Sequence, residues 1–333
     1  MQLTITSYGA YIHKRGECFE IIINKKKDEI SARRVQSILI TTGAAISSDA
    51  LHLAHEHNID VIFLDKYGNP FSRVWHSKFG STTYIRRKQL EFSQNRKGLD
   101  LAKSWIITKT DNQIKLLEKL KRTRPKKREK LEAYAAAMTR YNEQLKTLDG
   151  KSIDAVRDEI FALEAHCAKQ YFKALNHIIP ALYQFDGRSR QPAEDEFNAF
   201  LNYSYGVFYS KTERACILAG LDPYIGFLHT DNYGKKSFVF DIIELFRIYA
   251  DEAVIRLFAK RKVKTDMIRK IKNGVTLVKT GKQLLINDLN EALNEKIRYR
   301  GRNIKKENII QYECHRLANS FIGRDKEITF KSI

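Results

Sequence analysis

Residues 226–247 read GFLHTDNYGKKSFVFDIIELFR, a stretch that sets a histidine, an aspartate and a glutamate around a basic turn. His229 closes an apolar run. Gly234, Lys235 and Lys236 have the composition of a turn, and Asp241 opens a run in which Ile242, Ile243, Leu245 and Phe246 follow helical spacing. Asp241 and Glu244 then fall three apart on one helical face. Imidazole and carboxylate together suit a divalent ion of hard to intermediate character: Mn²⁺ or, with less preference for nitrogen, Mg²⁺. The adjoining lysines suit an anionic substrate. The same spacing also describes a solvated, N-capped helix face, and a histidine ending an apolar run also describes a hydrogen-bonded core residue. The stretch alone leaves both readings open.

Charge narrows the class of partner. The 333-residue chain carries 59 basic and 39 acidic residues, a formal net charge of +20, far beyond what solubility requires. Nucleic acid is the expected polyanion. A membrane surface is disfavoured, because no run of about twenty apolar residues occurs and no basic helix carries a clean apolar stripe. The first residues, MQLTITSYGAYIHKRGE, lack the charged-then-apolar order of a signal peptide, so a cytoplasmic protein is expected. Cys18, Cys167, Cys216 and Cys314 are scattered singly and read as reduced thiols used in packing. No Walker sequence, Gly-rich phosphate loop or Gly-x-Ser-x-Gly elbow is present, which leaves ATP hydrolysis and acyl transfer without support.

Along the chain the periodicity changes once. Residues 3–5, 11–12, 19–23, 35–40, 60–65 and 71–75 read as strands, with a hairpin turn over 14–17, a helix capped by Ser47, Ser48 or Asp49 and running to His57, and a turn at 67–70. His52 and His55 share a helical face, but no carboxylate or cysteine completes a ligand set, so this helix reads as packing and subunit contact. Past residue 76 the alternation stops, and from Tyr84 the remainder reads as helical. Residues 90–148 have helical spacing broken at Pro125, inside the basic run KRTRPKKREK (121–130), which reads as an exposed bend able to track phosphates. A strong helix is expected over 154–175. The expected fold is therefore α+β in two domains: a small β-rich N-terminal domain with one helix over 1–80, a connector at 81–84, and a larger all-α catalytic domain over 85–333.

The segment 198–247 carries, in order, Asn-Ala-Phe-Leu-Asn-Tyr, Ala-Gly-Leu-Asp-Pro, Gly-Phe-Leu-His, Asp followed three later by Glu, and Phe-Arg. That order closely resembles the signature of the CRISPR-associated integrase family, the first of the universal Cas proteins. ALEAHCAKQYF, residues 162–172, is similar to the family's further ligand helix, and the resemblance places Glu164 in the site. Ala165 stands where the family usually has glycine, and Ser204 where a glycine is common. Neither change removes a ligand.

The resemblance implies a metal-dependent endonuclease and integrase that inserts short DNA fragments, or spacers, into a CRISPR array, as in antiviral adaptation. It implies Glu164, His229 and Glu244 as metal ligands, with Asp241 a water-mediated ligand or base. It also implies a homodimer, joined by a small ferredoxin-like partner, the second universal Cas protein. Arg86 and Arg87 near the interdomain joint, Arg188 and Arg190 in the loop before the Asn-Ala-Phe-Leu-Asn-Tyr helix, and Lys235 and Lys236 are expected DNA contacts. Phosphodiesters react very slowly, and a metal so held could activate either water or a 3′-hydroxyl. Two alternatives stay open: a stand-alone nuclease of branched DNA, and a non-catalytic DNA-binding scaffold whose acidic residues only brace helices.

Overall fold

The computed structural model describes residues 2–64, 70–74, 82–230, 232–325 and 330–332. The expected turn at 67–69, the end of the strand at Trp75 and the first residue of the connector lie outside these. The chain divides into two compact units, Met1–Gly80 and Ser81–Ile333.

Alternating apolar residues build the first unit as two four-stranded sheets. Strands β1 (Gln2–Ile5), β2 (Ala10–Arg15), β3 (Cys18–Ile23), β4 (Lys26–Ser31), β5 (Ser37–Ile40) and β6 (Ala44–Ile46) precede helix α1 (Ser48–Glu56), then β7 (Asp60–Leu64) and β8 (Pro70–Val74). One sheet is ordered β1-β5-β7-β8 and the other β4-β3-β2-β6. In the second, Ile12 faces Ile21 across an antiparallel ladder. Leu3, Ile12, Phe19, Ile38, Leu53 and Val61 meet in a buried core. Strand β4 escapes the sequence reading because KKDEIS is polar apart from Ile30; it is an edge strand, where charge blunts the open ladder. Asn24 and Lys25 both adopt positive φ, the geometry of a tight hairpin turn into it. The packing side of α1 is Ala50, Leu53 and Ala54. The helix packs through these three residues, as expected of it, while His52 and His55 are exposed on another side.

The second unit is built on helices α2 (Thr82–Ser93), α3 (Arg96–Arg122), α4 (Arg128–Thr147), α5 (Arg157–Ile178), α6 (Glu196–Leu218), α7 (Ser237–Ile243) and α8 (Arg247–Ala259). Ribbon β9 (Ile268–Ile271) and β10 (Gly274–Leu277), helix α9 (Lys279–Asn294), ribbon β11 (Lys296–Tyr299) and β12 (Arg302–Lys305), and helix α10 (Lys306–Phe321) complete it. The two antiparallel ribbons correct the all-α expectation. Their turns were available as signals: Asn273 has φ +65° before Gly274, and Arg300 and Gly301 have φ +47° and +78°. Helix α5 starts at Arg157 rather than 154, and Asp158 and Glu159 complement the dipole in its first turn. Pro125 separates α3 from α4, which pack along each other, and α4 packs in turn on α5. Among the described residues no helix is long and apolar enough to cross a membrane.

Candidate active site

The loop carrying His229 is fixed from three directions. Gln89 on α2, wholly buried, donates to the carbonyls of Asp222 (2.9 Å) and Ile225 (3.0 Å) and accepts from the Asp222 amide. Arg157, opening α5, donates to the carbonyls of Leu228 and Phe227. Gly226 admits a close crossing: a Cβ there would meet the His229 carbonyl oxygen at 2.4 Å and the Ser237 Cβ at 2.6 Å. Trp105 packs edge-on against Phe227 and Phe238, which fastens loop and α7 to α3.

Helix α7 ends early. Leu245 and Phe246 bond back only three residues, to Ile242 and Ile243, before α8 begins, and Asn112 of α3 donates to the freed Leu245 carbonyl. Across this break Asp241 and Glu244 serve different partners. Both Asp241 oxygens are taken: Oδ2 accepts the amides of Phe227 (2.7 Å) and Leu228 (3.3 Å), and Oδ1 accepts the His229 amide (3.0 Å) and pairs with His229 Nδ1 (2.7 Å). Its side chain has no exposed surface. A carboxylate only accepts, so Nδ1 carries a hydrogen, which leaves Nε2 as the ring atom able to bind a ligand. Asp241 is therefore a positioning residue for His229, with no coordination site left over.

Glu244 and Glu164 converge on one cation. Lys109 Nζ, from α3, bonds Glu164 Oε1 and stands 2.6 Å from Glu244 Oε2, while Arg247 holds Glu244 Oε1 at 2.9 Å. The Glu244 side chain is 3% exposed and that of Glu164 23%, so the pair is buried at one end and open at the other. Burial alone would raise the Glu244 carboxyl, yet Arg247, Lys109 and the neighbouring His229 outweigh it and hold it down at about 2. Burial likewise opposes the Lys109 charge, and Glu164 and Glu244 raise its pKa in spite of it. Among the described residues no three His, Cys, Asp or Glu side chains close on a single point as they stand. The point between the two glutamates is filled by an ammonium. The donor set nonetheless fits a divalent ion: two carboxylates already share one cation, and a carboxylate-held imidazole lies beside Glu244.

Beyond Arg247 runs a buried polar chain. The Arg247 and Arg188 guanidinium groups lie 4.9 and 5.4 Å from the Tyr205 ring centroid, and Tyr205 and Tyr171 both donate to Asp251 (2.6 and 2.9 Å). Burial pushes the Asp251 carboxyl up to about 6 against the pull of those bonds and of the arginines. Of the expected DNA contacts, Arg188 is held by Asn198 and Asn202 and is partly buried, so it braces α6 rather than facing a ligand. Arg86 pairs with Asp222 at 3.7 Å, Lys236 pairs with Glu213 at 2.6 Å, and Lys235 lies over Phe240. Arg87 and Arg190 are exposed. The scattered cysteines include one close pair, Cys216 and Cys314, whose sulfurs are 3.9 Å apart in the core.

Lys109, Arg247 and Asp251 had no assigned role in the sequence reading. Lys109 had a signal: it continues the buried register Trp105, Asn112, Leu116, Leu120 on α3, and a lysine on such a stripe requires a buried counter-charge.

A strand-rich unit followed by a helical one of this topology is the architecture of solved Cas1 proteins and of a casposase. The chain superposes over its full length on a CAS1 protein from Thermotoga maritima (TM-score 0.81, 20% identity, all of that chain). It does so equally on a casposase bound to its integration product (TM-score 0.81, 23% identity, 94% of that chain). A family model described as CRISPR associated protein Cas1 matches residues 3–291, and the chain belongs to the Cas1 family. Among curated relatives, "CRISPR-associated endonuclease Cas1 1" of Archaeoglobus fulgidus is 34% identical over 325 residues, 93% of each chain. "CRISPR-associated endonuclease Cas1 2" of Saccharolobus solfataricus is 32% identical over 275 residues, 82% of this chain and 81% of its own.

Proposed function

We propose that this chain is a metal-dependent DNA endonuclease and integrase, inserting short DNA fragments into a CRISPR array by 3′-hydroxyl attack on a phosphodiester. The observation that carries this reading is the convergence of Glu164 and Glu244 on one cation beside His229. Membership of the Cas1 family, relatives named as endonucleases and the +20 charge support it.

Glu164, Glu244 and His229 Nε2 would hold Mn²⁺ or Mg²⁺, which when bound supplies Lewis-acid polarisation of the phosphoryl oxygen and lowers the pKa of the attacking hydroxyl. Asp241 keeps His229 in the tautomer and orientation that this requires. Arg247 adds positive charge where the transition state gains negative charge. Arg87, Arg190 and the basic bend at 121–130 offer phosphate contacts, releasing counterions as they bind. A Cas1–Cas2 assembly among the structural neighbours supports the small second Cas protein as partner, and a homodimer of this chain is proposed with it.

The test offers a short duplex with free 3′ ends and a supercoiled, repeat-bearing plasmid in Mn²⁺, with the small partner present. Covalently joined product that is lost in Glu164→Gln and His229→Ala is the expected result. Nicked plasmid without joining favours a stand-alone nuclease, and DNA binding without turnover in the wild type favours a scaffold.

A further inference from the structure

Lys109 lies in the middle of α3, 7% exposed, with its ammonium between the carboxylates of Glu164 on α5 and Glu244 at the end of α7. The groups facing this point are those two glutamates, Arg247 at the start of α8 and the ring of His229. Two carboxylates against one ammonium and one guanidinium leave the cluster close to neutral. A divalent cation entering it would leave the cluster strongly positive in a buried setting, a costly arrangement unless one resident cation withdraws. Arg247 is the more firmly held of the two: its planar group is bonded to Glu244 and lies over Tyr205. Lys109 is a point charge on a flexible stem, and among the described residues its ammonium is paired with the two carboxylates.

We propose that Lys109 is the resident counter-cation of the metal site, holding Glu164 and Glu244 together in the metal-free protein and leaving them when a divalent cation binds. This rests on the reading above that both glutamates are metal ligands. It makes the lysine a competitor for the site, so metal affinity is set by a displacement rather than by binding to an open site. By linkage, whatever Lys109 contributes to the stability of the metal-free fold is subtracted from metal affinity.

Isothermal titration of the full chain with MnCl₂ at fixed pH, for wild type and Lys109→Gln, tests this without any turnover measurement. The glutamine keeps one N–H donor for the carboxylates but not the charge. Affinity should tighten on the order of tenfold in the variant. The metal-free variant should melt below wild type, and the rise in melting temperature on adding Mn²⁺ should be larger in the variant. Equal or weaker affinity in Lys109→Gln overturns the proposal and makes the lysine a structural brace or a substrate contact. Glu164→Gln and Glu244→Gln serve as controls: if wild type binds Mn²⁺ and neither control weakens it, the metal-site reading itself fails, separately from the role of Lys109. A second measurement needs no variant. Amine-reactive labelling of wild type, read by mass spectrometry, should find Lys109 protected in EDTA and labelled in saturating Mg²⁺; protection unchanged by metal overturns displacement.

Discussion

His229 Nδ1 stands 2.7 Å from Oδ1 of Asp241, and the same carboxylate accepts three consecutive backbone amides, those of Phe227, Leu228 and His229. One buried charge thus shapes the loop and sets the tautomer of the ring that the loop presents. Asp241→Asn keeps the size but not the acceptor capacity. It should lower the rate of strand joining about 10–100-fold and the unfolding free energy by about 1–3 kcal/mol, while DNA affinity stays near wild type. Joining kinetics, urea unfolding and a DNA titration check the three parts; a variant that joins DNA at the wild-type rate removes Asp241 from the site.

Gly226 is required by contact rather than by φ. A methyl group there must displace the His229 carbonyl or the start of α7 at Ser237, both in packed surroundings. Gly226→Ala should cost about 1–3 kcal/mol of stability and move His229, so that Mn²⁺ affinity falls together with stability. Calorimetry on the purified variant reads both.

Asp251 predicts a pH dependence of stability. Its folded pKa, raised to about 6 by burial, lies above the ordinary 3.8, so between these values the folded protein holds a proton that the unfolded chain has lost. Stability from this group is therefore greatest at the acid end, falls as pH rises through that window, and is flat above it, a change on the order of 3 kcal/mol. Glu244, held down at about 2, acts in the opposite sense but only below its ordinary 4.5. Asp111 and Asp195, also raised by burial, and His177 and His315, held down by it, share this window, so Asp251 is read as the difference between wild-type and Asp251→Asn melts from pH 4.5 to 7, the variant losing part of the fall.

Arg188 and Arg190 lie two residues apart and should behave differently. Arg188→Ala removes bonds to Asn198 and Asn202 and the cation over Tyr205, and should destabilise by about 2–3 kcal/mol. Arg190→Ala, on the surface, should leave stability within about 0.5 kcal/mol but reduce the slope of DNA affinity against salt by about one. Equal stability loss in both would mean that the loop is not divided in this way.

Much of the fold could be read in advance because it is local. Alternation marks β2 and β5, short apolar runs mark β3 and β7, and spacing marks α3 to α6, since each pattern reports which faces turn inward. Polar edge strand β4 and the two ribbons carry no such pattern. Only their turn residues announce them, at Asn24, Asn273 and Arg300-Gly301. The break after α7 was also hidden, because the apolar run through Leu245 and Phe246 continues the helical period although the backbone tightens there.

By itself the sequence determined which residues could do chemistry here: an imidazole, carboxylates at recognisable spacing, and an excess of positive charge that calls for a polyanion. Tertiary structure decided which charge meets which. Lys109 and Glu164 are 55 positions apart, so their pairing across helices has no counterpart in any local pattern. Burial then makes that pairing consequential: away from water an unpartnered charge is too costly to persist, so Glu244 needs Lys109 and Arg247, Asp241 closes on His229, and Arg188 turns inward to Asn198 and Asn202.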